Sequence, residues 1–180
     1  MVLLYQEAIQ QFGSKYFVYQ ALKQGVLRRL QRGLYVTSSN ENPIIVAIKQ
    51  YPHGIITGLT ALYLHGLIKT SSTPVELAIK RGTTQVHTAN IQQHIQTELA
   101  YEIGKTYIRI EGYPVPIYNR ERMALELMRL KSKLPYDSYR EAIHSFRDIS
   151  HQLNFYTIED YATYIPRGNC YLTRLIEEIF

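Results

Sequence analysis

Two glycines, Gly13 and Gly25, bracket the segment Ser14 to Gln24, and that punctuation constrains the fold more than any other feature of the chain. Glycine adopts the left-handed backbone at which a helix stops, and a serine oxygen accepts a hydrogen bond from the first turn of the next helix. Leu4, Ala8, Ile9 and Phe12 recur at helical spacing before Gly13. The pattern therefore predicts a helix, a tight turn at Gly13-Ser14, and a second helix from Lys15 to Gln24 that Gly25 ends. At about 100° per residue, Phe17, Val18, Ala21 and Leu22 fall on one side of the second helix. Lys15, Tyr16, Tyr19, Gln20, Lys23 and Gln24 fall on the other. That side offers cations for phosphates, amides for adenine edges and hydroxyls for either, with no acid, which is what a DNA recognition helix requires.

The next stretch, Gly25 to Val36, holds two short apolar and aromatic runs about a turn at Gly33. As a hairpin it would pack Leu27, Leu30, Leu34 and Val36 against the helices and leave Arg28, Arg29 and Arg32 outward. Arg32, at the tip, would reach a phosphate or a narrow minor groove. The charge distribution agrees, since residues 1 to 38 carry five of the cations against Glu7 alone, which is +4 of the formal +5. Residues 1–38 thus read as a basic winged helix-turn-helix domain that contacts DNA through Lys15, Tyr16, Tyr19, Gln20, Lys23, Arg28, Arg29 and Arg32.

The polar run Val36 to Pro43 reads as a linker, so a second domain is expected over 43–180. Pro43 opens a helix that ends before Pro52, and Gly58 to Leu67 reads as a short buried helix. Strands are expected at Val75 to Lys80, around Ala100 to Ile103, at Thr106 to Glu111 and at Tyr113 to Ile117. Helices are expected at about 120–132, 137–149, 157–165 and 170–180. The expected class is α/β of the α+β kind, a winged helix-turn-helix followed by a small, mainly antiparallel sheet and a helical tail. The C-terminal stripe of Leu172, Leu175, Ile176, Ile179 and Phe180 is expected to be buried on that sheet. Sixteen tyrosines, many of them in the second domain, are of a type favoured at contact surfaces.

With 46% hydrophobic and 19% charged residues the composition is that of a globular chain. One cysteine, Cys170, excludes an internal disulfide framework and fits a reducing cytoplasm. Met1 to Gln10 lacks the pattern of a signal peptide, and the apolar segment Gly54 to Ile68 is too short to cross a membrane. His53, His65, His87, His94, His144 and His151 show no metal-ligand spacing, and His65 reads as a satisfied core residue. Glu76 and Lys80 share a strand face in a way faintly like nuclease acid-lysine pairs, but no suitable upstream aspartate accompanies them. No phosphate-binding glycine loop, nucleophile elbow or cysteine nucleophile is present. The expectation is a non-enzyme with no cofactor and no metal.

Gly25-x-Leu27-x-Arg29-Leu30-x-Arg32-Gly33-Leu34-Tyr35 closely resembles the wing of AbiEi-type antitoxins, the DNA-binding partners in a bacterial phage-defence toxin–antitoxin pair. Tyr51-Pro52-x-Gly54-Ile55-Ile56-x-Gly58-x-x-Ala61-Leu62-x-Leu64-His65-Gly66-Leu67 is similar to that family's second block, and Val115-Pro116-Ile117-Tyr118-x-x-Glu121-Arg122 to its third. The sequence departs from the family at Met123 and Glu126, and in lacking the first helix of the usual three-helix module. A module of some 38 residues rarely buries enough apolar surface alone, so it is expected to borrow core from the second domain. The resemblance implies a cytoplasmic antitoxin that represses its own operon. Its partners would be double-stranded operator DNA, with inverted repeats and an oligomer on the DNA, and a nucleotidyltransferase toxin countered directly or indirectly. The alternatives are a stand-alone winged-helix regulator with a ligand-sensing or dimerising second domain and, further off, a nuclease.

Overall fold

The computed structural model describes residues 1–37, 41–70, 73–85 and 88–180. Ser38 to Asn40 of the expected linker, and His87, lie outside the described residues. The chain is mixed α/β and divides into two compact units, Met1–His53 and Gly54–Phe180. Among the described residues no helix is long and apolar enough to cross a membrane.

The first unit runs β1 (Val2–Leu4), α1 (Tyr5–Phe12), α2 (Lys15–Lys23), β2 (Arg28–Gln31), β3 (Leu34–Val36) and α3 (Pro43–Gln50). Gly13 ends α1 at φ +87°, its amide donating to the Ile9 carbonyl at 2.8 Å, and the Ser14 hydroxyl accepts from the Phe17 amide at 3.3 Å. The two predicted helices and the turn between them are therefore formed by the residues that punctuate them. β3 lies between β1 and β2 in an antiparallel sheet. Leu3, Ala8, Val18, Ala21, Leu27 and Tyr35 form the core. β1 was not expected: Val2 and Leu3 are buried because they pair with Val36 and Tyr35, and Leu4, read as the first helical position, ends that strand.

The boundary between units falls after His53, later than the polar linker suggests, because α3 belongs to the first unit. Lys49 of α3 is buried and donates to the Val2 carbonyl at 2.8 Å and to the Glu7 carboxylate at 2.6 Å. The same carboxylate accepts the Leu4 amide at the start of α1, at 2.7 Å. One acid thus caps α1 and holds α3, and a helix from beyond the hairpin supplies apolar surface to a module short of it.

The second unit holds β4 (Ile55–Ile56), α4 (Gly58–Leu64), β5 (Val75–Lys80), β6 (Ile91–Gln96), α5 (Glu98–Glu102), β7 (Lys105–Ile110) and β8 (Tyr113–Tyr118). Then come α6 (Arg120–Leu130), α7 (Tyr136–Asp148), a 3-10 turn, α8 (Phe155–Tyr164) and α9 (Gly168–Ile179). The sheet order is β6-β5-β4-β8-β7. β4 pairs antiparallel with β5 and parallel with β8, β5 pairs parallel with β6, and β7 pairs antiparallel with β8. This sheet is mixed rather than mainly antiparallel, because two strands not expected from the sequence bring parallel pairings: β4 alongside β8, and β6 at the edge beside β5. The segment around Ala100 to Ile103, expected as a strand, falls instead in and just after a short helix, α5, which the Thr97 hydroxyl caps by accepting the Ala100 amide at 3.4 Å. α9 packs against α6, α7 and α8 rather than on the sheet. It buries Leu175 and Ile179 and leaves Ile176 and Phe180 exposed.

Candidate nucleic-acid interface

α2 buries Val18 and Ala21 against the first unit's core and presents Lys15, Tyr16, Tyr19 and Lys23 to solvent. Gln20 is half-buried, its amide donating to the Tyr16 hydroxyl at 3.1 Å, which ties two polar side chains one turn apart. Phe17, expected on the buried side, is 56% exposed, with its ring edge-on to Tyr16 at 5.5 Å. A helix of nine residues has room beneath it for a narrow apolar stripe, and Val18, Ala21 and the half-buried Leu22 fill it. Phe17 therefore joins the outward face.

β2 and β3 form a hairpin closed by Arg32 and Gly33, with Gly33 at φ +84°. A left-handed residue in a two-residue turn lets the strands keep their natural twist. Leu27, Leu34 and Val36 are buried as expected, whereas Leu30 is 41% exposed. The register explains this: Arg29 pairs with Tyr35 and Gln31 with Leu34, so Leu30 is the extra residue of a bulge and is pushed out of the packed layer. Arg28, Arg29 and Arg32 are all exposed, and the Arg29 Nε donates to the Gln31 carbonyl at 3.1 Å across the same bulge. No acid occurs between Glu7 and Glu41. Glu7 is engaged by Lys49 and Glu41 by the N-terminal ammonium. Among the described residues, the five cations of α2 and the hairpin have no carboxylate partner within ion-pair distance.

The acids and histidines of the second unit are engaged differently. Glu76, set beside Lys80 in the sequence reading, is buried. Its carboxylate accepts the Leu59 amide at 2.9 Å, where α4 begins, and contacts His94 Nε2 at 2.5 Å. Gly58, at φ +57°, passes so close that a Cβ would lie 2.1 Å from Glu76 Oε2. Lys80 pairs instead with Glu98. His65 donates from Nε2 to the Tyr118 carbonyl at 2.7 Å, and burial holds its imidazole below the usual range. Arg122 and Glu126, one turn apart on α6, are both fully buried and 2.7 Å apart, and Arg129 Nε reaches Glu126 at 2.9 Å. The Arg122 guanidinium lies 4.9 Å from the Tyr118 ring centroid, and burial pushes the Tyr118 phenol up. Sequence reasoning did not find this network, although an acid and two arginines at helical spacing on an apolar face are its signature. The tyrosines divide: Tyr101, Tyr118 and Tyr139 are core, while Tyr107, Tyr136 and Tyr156 are exposed. Among the described residues no group of three potential metal ligands converges.

No family model matches this chain, and no curated protein matches it. Among solved structures, the RV2827C protein from Mycobacterium tuberculosis matches with a TM-score of 0.69, over 99% of this chain and 72% of that one. The identity is 10%, so the likeness is one of fold alone.

Proposed function

We propose that this protein is a winged helix-turn-helix transcriptional repressor that also serves as the antitoxin of a nucleotidyltransferase toxin. The DNA-binding half of the reading is carried by one observation: α2 and the hairpin turn outward cations, tyrosines and amides with no acid among them. Such a face favours phosphate contacts, while Gln20, Tyr16 and Tyr19 are of the kinds that read base edges. The sheet order, with β3 between β1 and β2 and α1 and α2 between β1 and β2 in the chain, supports the winged arrangement. In it α2 enters a major groove, and Arg28, Arg29 and Arg32 follow the neighbouring backbone or minor groove. Phe17 adds an apolar group able to meet a thymine methyl. The antitoxin half rests on the AbiEi resemblance of the three sequence blocks.

The test has two arms. Binding to DNA from the protein's own promoter region, followed against salt, is expected to give a log–log slope on the order of −4 to −5, as four to six phosphate contacts would. A flat salt dependence refutes the docking. In the second arm, a bacterium expressing the neighbouring reading frame is grown with and without the full chain. Restored growth supports the antitoxin. If DNA is bound but growth is not restored, the protein is a stand-alone regulator.

A further inference from the structure

Packing of α6 against α9 gathers four cations that are far apart in sequence. Arg129 and Lys131, at the end of α6, Arg167, at the N-terminus of α9, and Arg174, midway along α9, line one open groove of about 870 Å³. Two carboxylates share the lining, Glu177 and Glu178. Glu178 is already held, by Lys131 at 2.6 Å and by the Tyr139 hydroxyl. Arg129 faces back to Glu126 through Nε and Nη2. Arg167 and Arg174 are exposed and, among the described residues, have no carboxylate within ion-pair distance. With the Lys131–Glu178 and Arg129–Glu126 pairs set aside, Arg167 and Arg174 face one lining carboxylate, Glu177, which leaves a surplus of one positive charge on two exposed guanidinium groups. Guanidinium forks match phosphate oxygens in shape and charge. Tyr171, in the same wall, supplies an aromatic ring of the kind on which nucleobases stack. The volume falls in the range of small-molecule sites.

We infer that this groove binds a phosphate-bearing nucleotide, with Arg167 and Arg174 on the phosphates and Tyr171 beside the base. The site lies wholly within the second unit and does not depend on the DNA-docking reading of the first. The shared chemistry is a nucleoside phosphate, and its source is either a free nucleotide or the 5′ end of an oligonucleotide.

Cys170 is exposed in the groove wall and is the chain's one cysteine, which makes it a reporter of occupancy. Calorimetry on the full chain would use ATP, tripolyphosphate, a 5′-phosphorylated trinucleotide and adenosine, with the rate of Cys170 alkylation by N-ethylmaleimide followed in parallel. The expected result is heat and slowed alkylation with the phosphate-bearing probes and neither with adenosine. Binding should fall by about tenfold or more when Arg167→Gln and Arg174→Gln are combined. ATP binding more tightly than the trinucleotide identifies a free nucleotide as the ligand; the reverse identifies a nucleic-acid end. The inference is overturned if no phosphate-bearing probe binds, if adenosine binds as well as ATP, or if the double variant binds and is protected as the parent is. A melting curve of the double variant unchanged from the parent's ties any loss to the groove.

Discussion

Lys15, Lys23, Arg28, Arg29 and Arg32 stand exposed on the first unit with no carboxylate partner among the described residues, whereas Arg122 and Glu126 of the second face each other with no exposed surface at all. Both sets are charged and both sit on short elements, yet their energetics differ in kind. An exposed cation costs little to keep and contributes little to stability, and its charge remains available to a polyanion. A buried ion pair has lost its water, and its members hold each other in place because neither can be left alone. The comparison separates charge left at the surface, which the proposed function assigns to DNA, from charge that belongs to the fold.

The largest effect should come from breaking the buried set. Glu126→Gln removes the carboxylate that compensates Arg122 and reaches Arg129, and it is expected to cost about 3–5 kcal/mol, the usual result of stranding a buried charge. Urea unfolding of the full chain measures it, and a cost under about 1 kcal/mol would show that solvent reaches Arg122. The pH dependence has the same origin. Burial pushes Glu126 up, but Arg122 and Arg129 outweigh it, and the carboxyl is held below its ordinary range. Its contribution is therefore fully present above the unfolded value near 4.5 and is lost as pH falls through the lower folded value. His65 acts in the same direction at higher pH. Its folded value lies below 6.5, so the unfolded chain binds the extra proton first and stability begins to fall below that pH. Unfolding midpoints taken across pH 7 to 3 should decline in two stages, and His65→Gln should remove the upper one.

A pair of glycines sharpens the comparison with backbone in place of charge. Gly58 in the second unit and Gly33 in the first both have positive φ, at +57° and +84°. A Cβ on Gly33 meets nothing within 4 Å, while one on Gly58 collides with the Glu76 carboxylate, which the Leu59 amide and His94 hold in place. Gly33→Ala should cost only the left-handed penalty, about 1–2 kcal/mol. Gly58→Ala should cost that and the displacement of a buried, hydrogen-bonded carboxylate, about 3 kcal/mol or more. Paired denaturation curves decide it, and equal losses would mean that Glu76 yields freely.

Legibility in the sequence divides along the same line between local and non-local causes. α1, α2 and the hairpin turn were legible because Gly13, Ser14, Gly25 and Gly33 act through local backbone geometry, which needs no tertiary partner. Phe17 and Leu30 were misplaced because hydrophobicity states a preference, while the width of the stripe under α2 and the bulge in β2 decide which side chains are covered. β1 was absorbed into α1 because Val2-Leu3-Leu4 runs unbroken into a helical period, and only pairing with β3 makes it a strand. β6, Ile-Gln-Gln-His-Ile-Gln, carries too little apolar alternation to declare itself; it is a strand because β5 offers its edge. Lys49 was read only as part of a helix, and its contacts with Val2 and Glu7, which join α3 to the first unit, are non-local. The outward cations of α2 and the hairpin were legible because an acid-free basic face is a property of composition and period together.

The smallest stability change is also the sharpest probe of the exposed set. Arg32 sits at the hairpin tip, exposed and with no ion-pair partner among the described residues, so Arg32→Ala should leave the unfolding free energy within about 0.5 kcal/mol of the parent. Its effect should instead be seen on DNA. A residue that neutralises one phosphate accounts for roughly one unit of the log–log salt slope, so the slope should flatten by about that amount, with affinity falling alike for specific and unrelated sequences. Gln20→Ala is the counterpart: on the proposed docking its half-buried amide meets a base edge, so the variant should lose affinity for one operator and leave the slope unchanged. If Arg32→Ala leaves the slope untouched, the hairpin is not on the phosphates, and the exposed arginines of the first unit must serve some other surface.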